Sequence, residues 1–569
     1  MRYHVLATDY DGTIATDGHL DEPTLSALER LKASGRKLVL VTGRELDDLL
    51  HVCPRLDLFE RVVAENGALI YTPATREEKP LADGPSPEFV AELTRRGVAP
   101  LSVGRVIVAT WEPHQNTVFE AIHALNLELQ VAFNKGAVMA LPSGINKATG
   151  LRTALAEMGM SVHNTVAVGD AENDHAFLRV CECSVAVANA LDSVKARVDM
   201  VTERDHGGGV AQLIEMIIAS DLRDLAPKLT RHAVPIGTHQ DGRPLLIDPY
   251  ARGLMIAGPS GSGKSTIATA LTERLASFGY QLCIIDPEGD YQHWTAAISL
   301  RGSDAEALIE ETMQVLGKPE EHAVVTLVDL RLEDRPAFFA RLLPSLIELR
   351  ARTGRPHWIA IDEAHHLLPA DWRPAGVTLP RETSGLLLIT MDPGHIATPA
   401  ARLLDGVIVV GKDQRRTLSG FAATVGAEPP IVTREDVEQG EATVWFCDGK
   451  APFTIQITPS DSARRRHRRK YAKGELGPDE NFYFRGPDGK LNLRAQNLSV
   501  FAQIAEGVDD ETWVHHLRRG DYSNWFRRMI KDDELARAAE AIEQAGELSA
   551  AESRARIRAA IEERYTGPA

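Results

Sequence analysis

The chain has 569 residues, too many for one hydrophobic core, and at about 100–200 residues per domain it should form three or four domains. It is 44% hydrophobic and 25% charged, an ordinary globular composition, and its net charge of -17 excludes a molecule whose whole surface grips nucleic acid or an anionic membrane. Five cysteines without zinc-knuckle spacing, no apolar run of ~18–20 residues and no signal segment at the start point to a soluble, cytoplasmic protein with no membrane partner.

From the N-terminus, "YHVLAT", "EPTLSALERLKASG", "KLVLVTGR" and "RVVAENGALIY" alternate short apolar runs with helical stretches, which predicts a doubly wound parallel sheet. Residues 72–140 break this rhythm with strands such as "GRVIVATW", so a cap is expected there. The pattern returns at "NKATGLRTALAEMGM" and "TVAVGD" and closes a first domain at 220. The polar, proline-bearing stretch 221–244 reads as a linker. A second α/β run covers 245–458, followed by a basic linker, 459–480, and a small helical domain, 481–569. In that last domain Trp513, Leu517, Tyr522, Trp525 and Phe526 read as core, and the end as one or two charged amphipathic helices. The expected class is multidomain α/β with a helical C-terminus.

"DYDGT" puts Asp9 and Asp11 at the end of an apolar strand, in the loop where doubly wound sheets bind ligands. Spaced two apart, one carboxylate can attack phosphorus while the other moves protons at the leaving oxygen and at water. So much negative charge needs a divalent cation, and hard oxygens suit Mg2+. Thr42 in "VTGR", Lys147 in "GINKATG", and Asp170 and Asp174 in "GDAENDHAF" complete the set in order. The set resembles the haloacid dehalogenase superfamily, in its Cof-like branch, over residues 1–220; "ENGALIY" (65–71) and "SVAVANALDSVKARVDMVT" (184–202) are similar to that branch as well. The resemblance implies that Asp9 is nucleophile and Mg2+ ligand. It makes Asp11 acid and base with a backbone metal contact, Thr42 and Lys147 holders of the phosphoryl oxygens, and Asp170 a Mg2+ ligand supported by Asn173 and Asp174. The implied activity is phosphomonoester hydrolysis through an aspartyl phosphate. The expected substrate is a small phosphorylated molecule, a sugar phosphate or a nucleotide.

"GPSGSGKST" (258–266) follows the apolar run "GLMIA" and opens a helix. Gly258, Gly263, Lys264 and Ser265 fit G-x-x-x-x-G-K-[ST], with Gly261 and Thr266 in the same phosphate cradle. Loop amides would hold the phosphates of ATP, Lys264 would reach the outer ones and Ser265 would bind Mg2+. "HWIAIDEAHH" ends an apolar strand in Asp362, which would hold the metal through water, and Glu363, which would polarise the attacking water. "CIIDPEGDY", the upstream "IGTHQDGRPLLIDP" and "LLLITMDPGHI" resemble the HerA/FtsK ATPases over 230–458 and place Asp286 and Glu288 near the nucleotide. Met391 stands where that family usually has a glutamine sensor, and Thr390 is the candidate to share its role. The family's preceding β-barrel is absent or replaced. An arginine finger would come from a neighbouring subunit, with Arg381, Arg415 and Arg416 as candidates, which implies a homo-oligomer.

"ARRRHRRK" (463–470) reads either as a contact to a nucleic-acid backbone or as a solvated linker, the commoner role of a lone charge run. Tyr471, Phe482, Tyr483 and Phe484 could stack on bases, although such residues more often begin a core. His515 and His516 are adjacent and cannot share a helical face, so no metal site is expected there. The whole reads as a phosphatase fused to an ATPase, with ATP gating or assembling the phosphatase. The rivals are a nucleic-acid translocase or defence-type ATPase with an accessory phosphatase, and a metabolite kinase paired with its opposing phosphatase.

Overall fold

The structure is a computed structural model. It describes all residues except 251–252, 293, 374–383, 433, 435, 439, 459–480, 488, 531, 547 and 566–569. Arg381, Tyr471 and the basic run 463–470 lie outside the described residues. The chain divides into two compact units, Met1–Thr458 and Pro459–Ala569.

The first unit holds two large sheets. Strands β1 (Val5–Thr8), β2 (Lys37–Val41), β3 (Arg61–Ala64), β4 (Leu69–Thr72) and β5 (Glu77–Pro80) lead into a cap. The cap contains β6 (Ser102–Val103), β7 (Val108–Trp111), β8 (Leu129–Asn134) and β9 (Ala137–Pro142). The chain then returns through β10 (Thr165–Gly169), β11 (Cys183–Ala186) and β12 (Met200–Val201). The first sheet has the order β12-β11-β10-β1-β2-β3-β4-β5, parallel up to β3 and antiparallel at β4 and β5. Its central strands are buried throughout and mostly apolar, as suits strands covered on both faces. The cap is a separate antiparallel sheet, β6-β7-β9-β8, with a small core of Phe89, Leu93, Val108, Val118 and Val138. Its boundaries differ from the expected 72–140. Residues 69–80 extend the main sheet as a hairpin, and β9 carries the cap to Pro142.

The second sheet is built from β13 (Val234–His239), β14 (Pro244–Ile247), β15 (Gly253–Ala257), β16 (Leu282–Asp286), β17 (Ile298–Arg301) and β18 (Ala323–Thr326). It continues through β19 (Trp358–Ile361), β20 (Leu386–Thr390), β21 (Leu404–Val409), β22 (Glu441–Phe446) and β23 (Phe453–Ile457). The order is β14-β13-β23-β22-β21-β15-β20-β19-β16-β18-β17, parallel from β21 to β17 and antiparallel on the other side. Residues 221–244 are therefore not merely a linker: β13 lies within them and pairs with β23.

In the second unit an antiparallel pair, Phe482–Phe484 with Leu493–Ala495, precedes five helices between Leu498 and Tyr565. Phe482 and Phe484 enter a core with Phe501, Trp513, Tyr522, Trp525 and Phe526, so they are packing residues. The unit is thus mainly, not wholly, helical. His516 accepts from the Arg485 amide and pairs with Asp521, a structural role. All five cysteines are free thiols. No helix among the described residues is long and apolar enough to cross a membrane.

Candidate functional site

The first site follows from strand order. β1 lies between β10 and β2, so the residues just past all three strands, Asp9, Asp170 and Thr42, meet at one sheet edge. Lys147 is the first residue of the helix Lys147–Glu157, whose start is fixed by an Asn146–Thr149 capping box. Its Nζ donates to Asp9 Oδ1 and Asp174 Oδ1, both at 2.6 Å, in full burial. Asp174 Oδ2 accepts from the amides of Asp170 and Ala171 at 2.9 Å each. Both Asp174 oxygens are thus committed, and its part is to hold Lys147 and the Asp170 loop. Thr13 Oγ1 donates to Asp170 Oδ1 at 3.1 Å. Thr42 is buried, and its Oγ1 accepts from the Arg44 amide. Asn173 bonds Asn66.

Carboxylate oxygens of Asp9, Asp170 and Asp174 lie within 4.8 Å of one another. Burial, and then the Asp174 charge, push Asp9 above the usual carboxylate range, against the pull of Lys147. Asp170 is raised by burial too, opposed by Lys135. Lys147 is raised: burial would lower it, but Asp174 and Asp9 prevail. Asp11 turns outward, with both carboxylate oxygens held by Arg44 Nε and Nη2 at 2.6 Å.

In the second site Gly258 follows β15, and Asp362 and Glu363 follow β19, one strand beyond β20 on the same edge. A Cβ on Gly258 would stand 2.3 Å from the Val410 carbonyl, so only glycine lets the loop pass. Gly263 (φ 100°) takes the left-handed turn that starts the helix Lys264–Ser277, whose Ser265 and Thr266 fall in the first turn. Gly261 lies exposed in the loop. Lys264 Nζ donates back to the carbonyls of Gly258 and Pro259 at 3.0 and 3.1 Å. Asp362 accepts from the Glu363 amide and is pushed up to about 7 by burial. Glu363 holds a strained left-handed backbone (φ 37°) and is also raised by burial, opposed by Lys264 and reinforced by Glu288. Asp286 is buried at the end of β16. Its oxygens accept the amides of Gly289, Asp290 and Tyr291, so it shapes the loop that carries Glu288. Thr390 is buried, Met391 is half exposed, and Arg416 lies 3.6 Å from Asp392.

A family model described as haloacid dehalogenase-like hydrolase matches residues 6–96 and 101–214. A phosphoglycolate phosphatase of Methanothermobacter thermautotrophicus is 30% identical over 218 residues, 37% of this chain and 96% of that protein. The chain belongs to the haloacid dehalogenase-like hydrolases. Another phosphoglycolate phosphatase, from Saccharolobus solfataricus, is 28% identical over 38% of this chain and 93% of its own length. A solved haloacid dehalogenase-like hydrolase from Bacteroides thetaiotaomicron aligns at 20% identity and TM-score 0.32, over 38% of this chain and 99% of that one. A second model, the central domain of the helicase HerA, matches 234–345. The protein is a haloacid dehalogenase-like phosphatase fused to a HerA-type domain.

The hydrolase and HerA-type domains meet through buried polar groups. His163 Nδ1 bonds Glu182 Oε2 at 2.8 Å, and its Nε2 bonds the Phe278 carbonyl at 2.7 Å. Phe278 is the C-cap of Lys264–Ser277, the helix that begins at the phosphate loop. Tyr280 Oη donates to Glu182 Oε2 and stacks on His163 at 3.9 Å, while Arg2 Nη2 donates to Glu182 Oε1. Nearby, His357 Nε2 bonds Asn164 Oδ1, and Arg355 Nη2 reaches the Gly159 carbonyl. Arg44, Thr13, Lys135 and this junction were not anticipated as site residues. Arg44 stands in the quoted "VTGR", and "NKG" between two strand patterns signals a hairpin tip at Lys135.

Proposed function

We propose that the hydrolase domain cleaves a small carboxylated phosphomonoester with Mg2+, and that nucleotide binding in the HerA-type domain sets its activity. Asp9 attacks phosphorus and becomes the aspartyl phosphate. Lys147 and Thr42 take the phosphoryl oxygens. Asp11 protonates the departing oxygen and then takes a proton from the water that frees phosphate. Arg44 holds Asp11 before substrate arrives, so Asp11 must turn from it to act. The residues fit Mg2+: hard carboxylate oxygens gather within 4.8 Å, where burial disfavours their charge. Asp9, Asp170 and the Asp11 backbone carbonyl would hold it. Bound Mg2+ supplies positive charge against the phosphoryl oxygens. The substrate class comes from the phosphoglycolate phosphatases that this domain matches.

One observation carries the regulatory part: His163 of the hydrolase domain is bonded to the C-cap of the helix whose first turn carries Lys264. That helix, 14 residues and about 21 Å long, can pass a shift at its phosphate end to the junction. ATP phosphates would draw Lys264 off the Gly258 and Pro259 carbonyls. The test is phosphate release from 2-phosphoglycolate by wild type and Lys264→Ala, with and without a non-hydrolysable ATP analogue. A change of at least threefold in wild type alone is expected. If neither rate nor oligomeric state answers to nucleotide or to the substitution, regulation fails.

The match to the HerA central domain favours a second reading, a nucleic-acid translocase with an accessory phosphatase, using 463–470 as its contact and a homo-oligomeric ring. ATP hydrolysis by Asp9→Asn protein that is strongly stimulated by duplex DNA, and fades with salt, would select it.

A further inference from the structure

Strands β8 and β9 meet in a two-residue turn, Lys135–Gly136, with Asn134 paired to Ala137. Both turn residues have positive φ, 47° and 88°, a pattern that favours Asn, Asp or Gly at the first position. The turn itself therefore gives no reason for a lysine. The side chain leaves the cap and ends on the catalytic loops, where Nζ donates to Asp170 Oδ2 at 2.6 Å. Gly12 lies directly beneath. A Cβ there would stand 2.7 Å from Lys135 Nζ and 2.5 Å from Asp170 Oδ2. The ammonium thus hangs over the loop just past Asp11.

Each of its basic neighbours has two carboxylate partners, whereas Lys135 has one, Asp170. Lys147 is buried between Asp9 and Asp174, Arg44 is engaged with Asp11 and Asp48, and the cap's Arg105 is engaged with Asp47 and Glu78. Lys135 keeps nearly half its side chain in solvent on a flexible stem. A divalent cation on Asp170 would replace and repel this ammonium, turning it toward the space under the cap. Lys147 and Thr42 serve the phosphoryl group, so that space belongs to the leaving alcohol.

We infer that Lys135 is the specificity-determining residue of the phosphatase site, binding an anionic group, a carboxylate, carried by the leaving alcohol close to the ester oxygen. This rests on the reading of the Asp9–Asp170 cluster as a phosphomonoesterase. The assay compares kcat/KM for 2-phosphoglycolate with that for 2-hydroxyethyl phosphate, its uncharged counterpart, and for phosphoethanolamine, its cationic one. Lys135→Asn suits the turn better than the native residue, so misfolding does not confound it. Its preference for the carboxylated ester over the uncharged one should fall about 10- to 100-fold, the scale of one charge-assisted hydrogen bond. Lys135→Arg should restore most of that preference, and Lys135→Glu should favour phosphoethanolamine. Calorimetric binding of 2-phosphoglycolate to Asp9→Asn protein should weaken to a similar degree when Lys135→Asn is added. Equal losses on charged and uncharged esters, or no loss, overturn the inference while leaving the phosphatase reading intact. Wild-type protein that hydrolyses none of the three esters refutes the reading and the inference with it.

Discussion

Glu182→Gln tests the physical account of the domain junction. The carboxylate is 1% exposed and accepts from His163, Tyr280 and Arg2. Burial alone would raise it. The His163 hydrogen bond and charge, then Arg2 and His232, overcome burial and hold it down to about 2 from 4.5. At about 1.4 kcal/mol for each tenfold in proton affinity, this is worth about 3 kcal/mol at neutral pH. Glutamine keeps the shape but leaves the largely covered Arg2 guanidinium without its counter-charge, a comparable loss. The folded value lies below the unfolded one. The contribution is therefore full above about pH 4.5 and is lost as pH falls toward 2. Urea denaturation at pH 7 and pH 3 measures it, read from the first transition because this unit holds two domains. The variant should be about 3 kcal/mol less stable at pH 7, with less than half that gap at pH 3. A difference below about 1 kcal/mol at pH 7, or one that persists undiminished at pH 3, would refute the reasoning.

Lys147→Met should cut phosphate release at least about 10²–10³-fold, because the oxygens of Asp9 and the phosphoryl group lose their buried ammonium. It should also destabilise the fold more at pH 7 than at pH 5, since Asp9, raised by burial, loses the ammonium that opposes that rise and is relieved by taking up a proton; thermal midpoints at both pH values check this. Chelation of divalent cations should abolish phosphatase activity. Mg2+ added at a hundred times its Kd should restore activity and stabilise the hydrolase domain by about 2.7 kcal/mol, read from denaturation with and without the ion.

Most candidate site residues of both domains were legible because Asp9, Thr42, Asp170, Gly258 and Asp362 each follow a strand of a parallel sheet, and strand order gathers such positions at one edge; Lys147 instead opens a helix after the cap strand β9. Asp9, Thr42, Lys147 and Asp170 needed only their local motifs to be found. The domain boundary near 221–244 was not legible, because β13 earns its place by pairing with β23, more than 200 positions later. The cap edge was misplaced because β5, with the charged sequence Glu77–Pro80, carries no apolar pattern and is held by β4. Asp286 sits in an acidic motif beside the phosphate loop, and no local pattern announces the three amides folded around it. The junction joins His163, Glu182 and Tyr280, the last two 98 positions apart, and no local pattern announces such a meeting.

The pairing of β13 with β23 also decides how this domain would bear a pulling force. Gly237 lies opposite Ile457 and His239 opposite Ile455, so the start of the first strand and the end of the last emerge on the same side of adjacent antiparallel strands. Tension applied through the chain at those two points would unzip that edge one bond at a time instead of shearing many at once. The parallel strands that carry the phosphate loop lie beyond β22 and β21 and outside that line of load. The edge would yield at low force while the nucleotide cradle kept its shape.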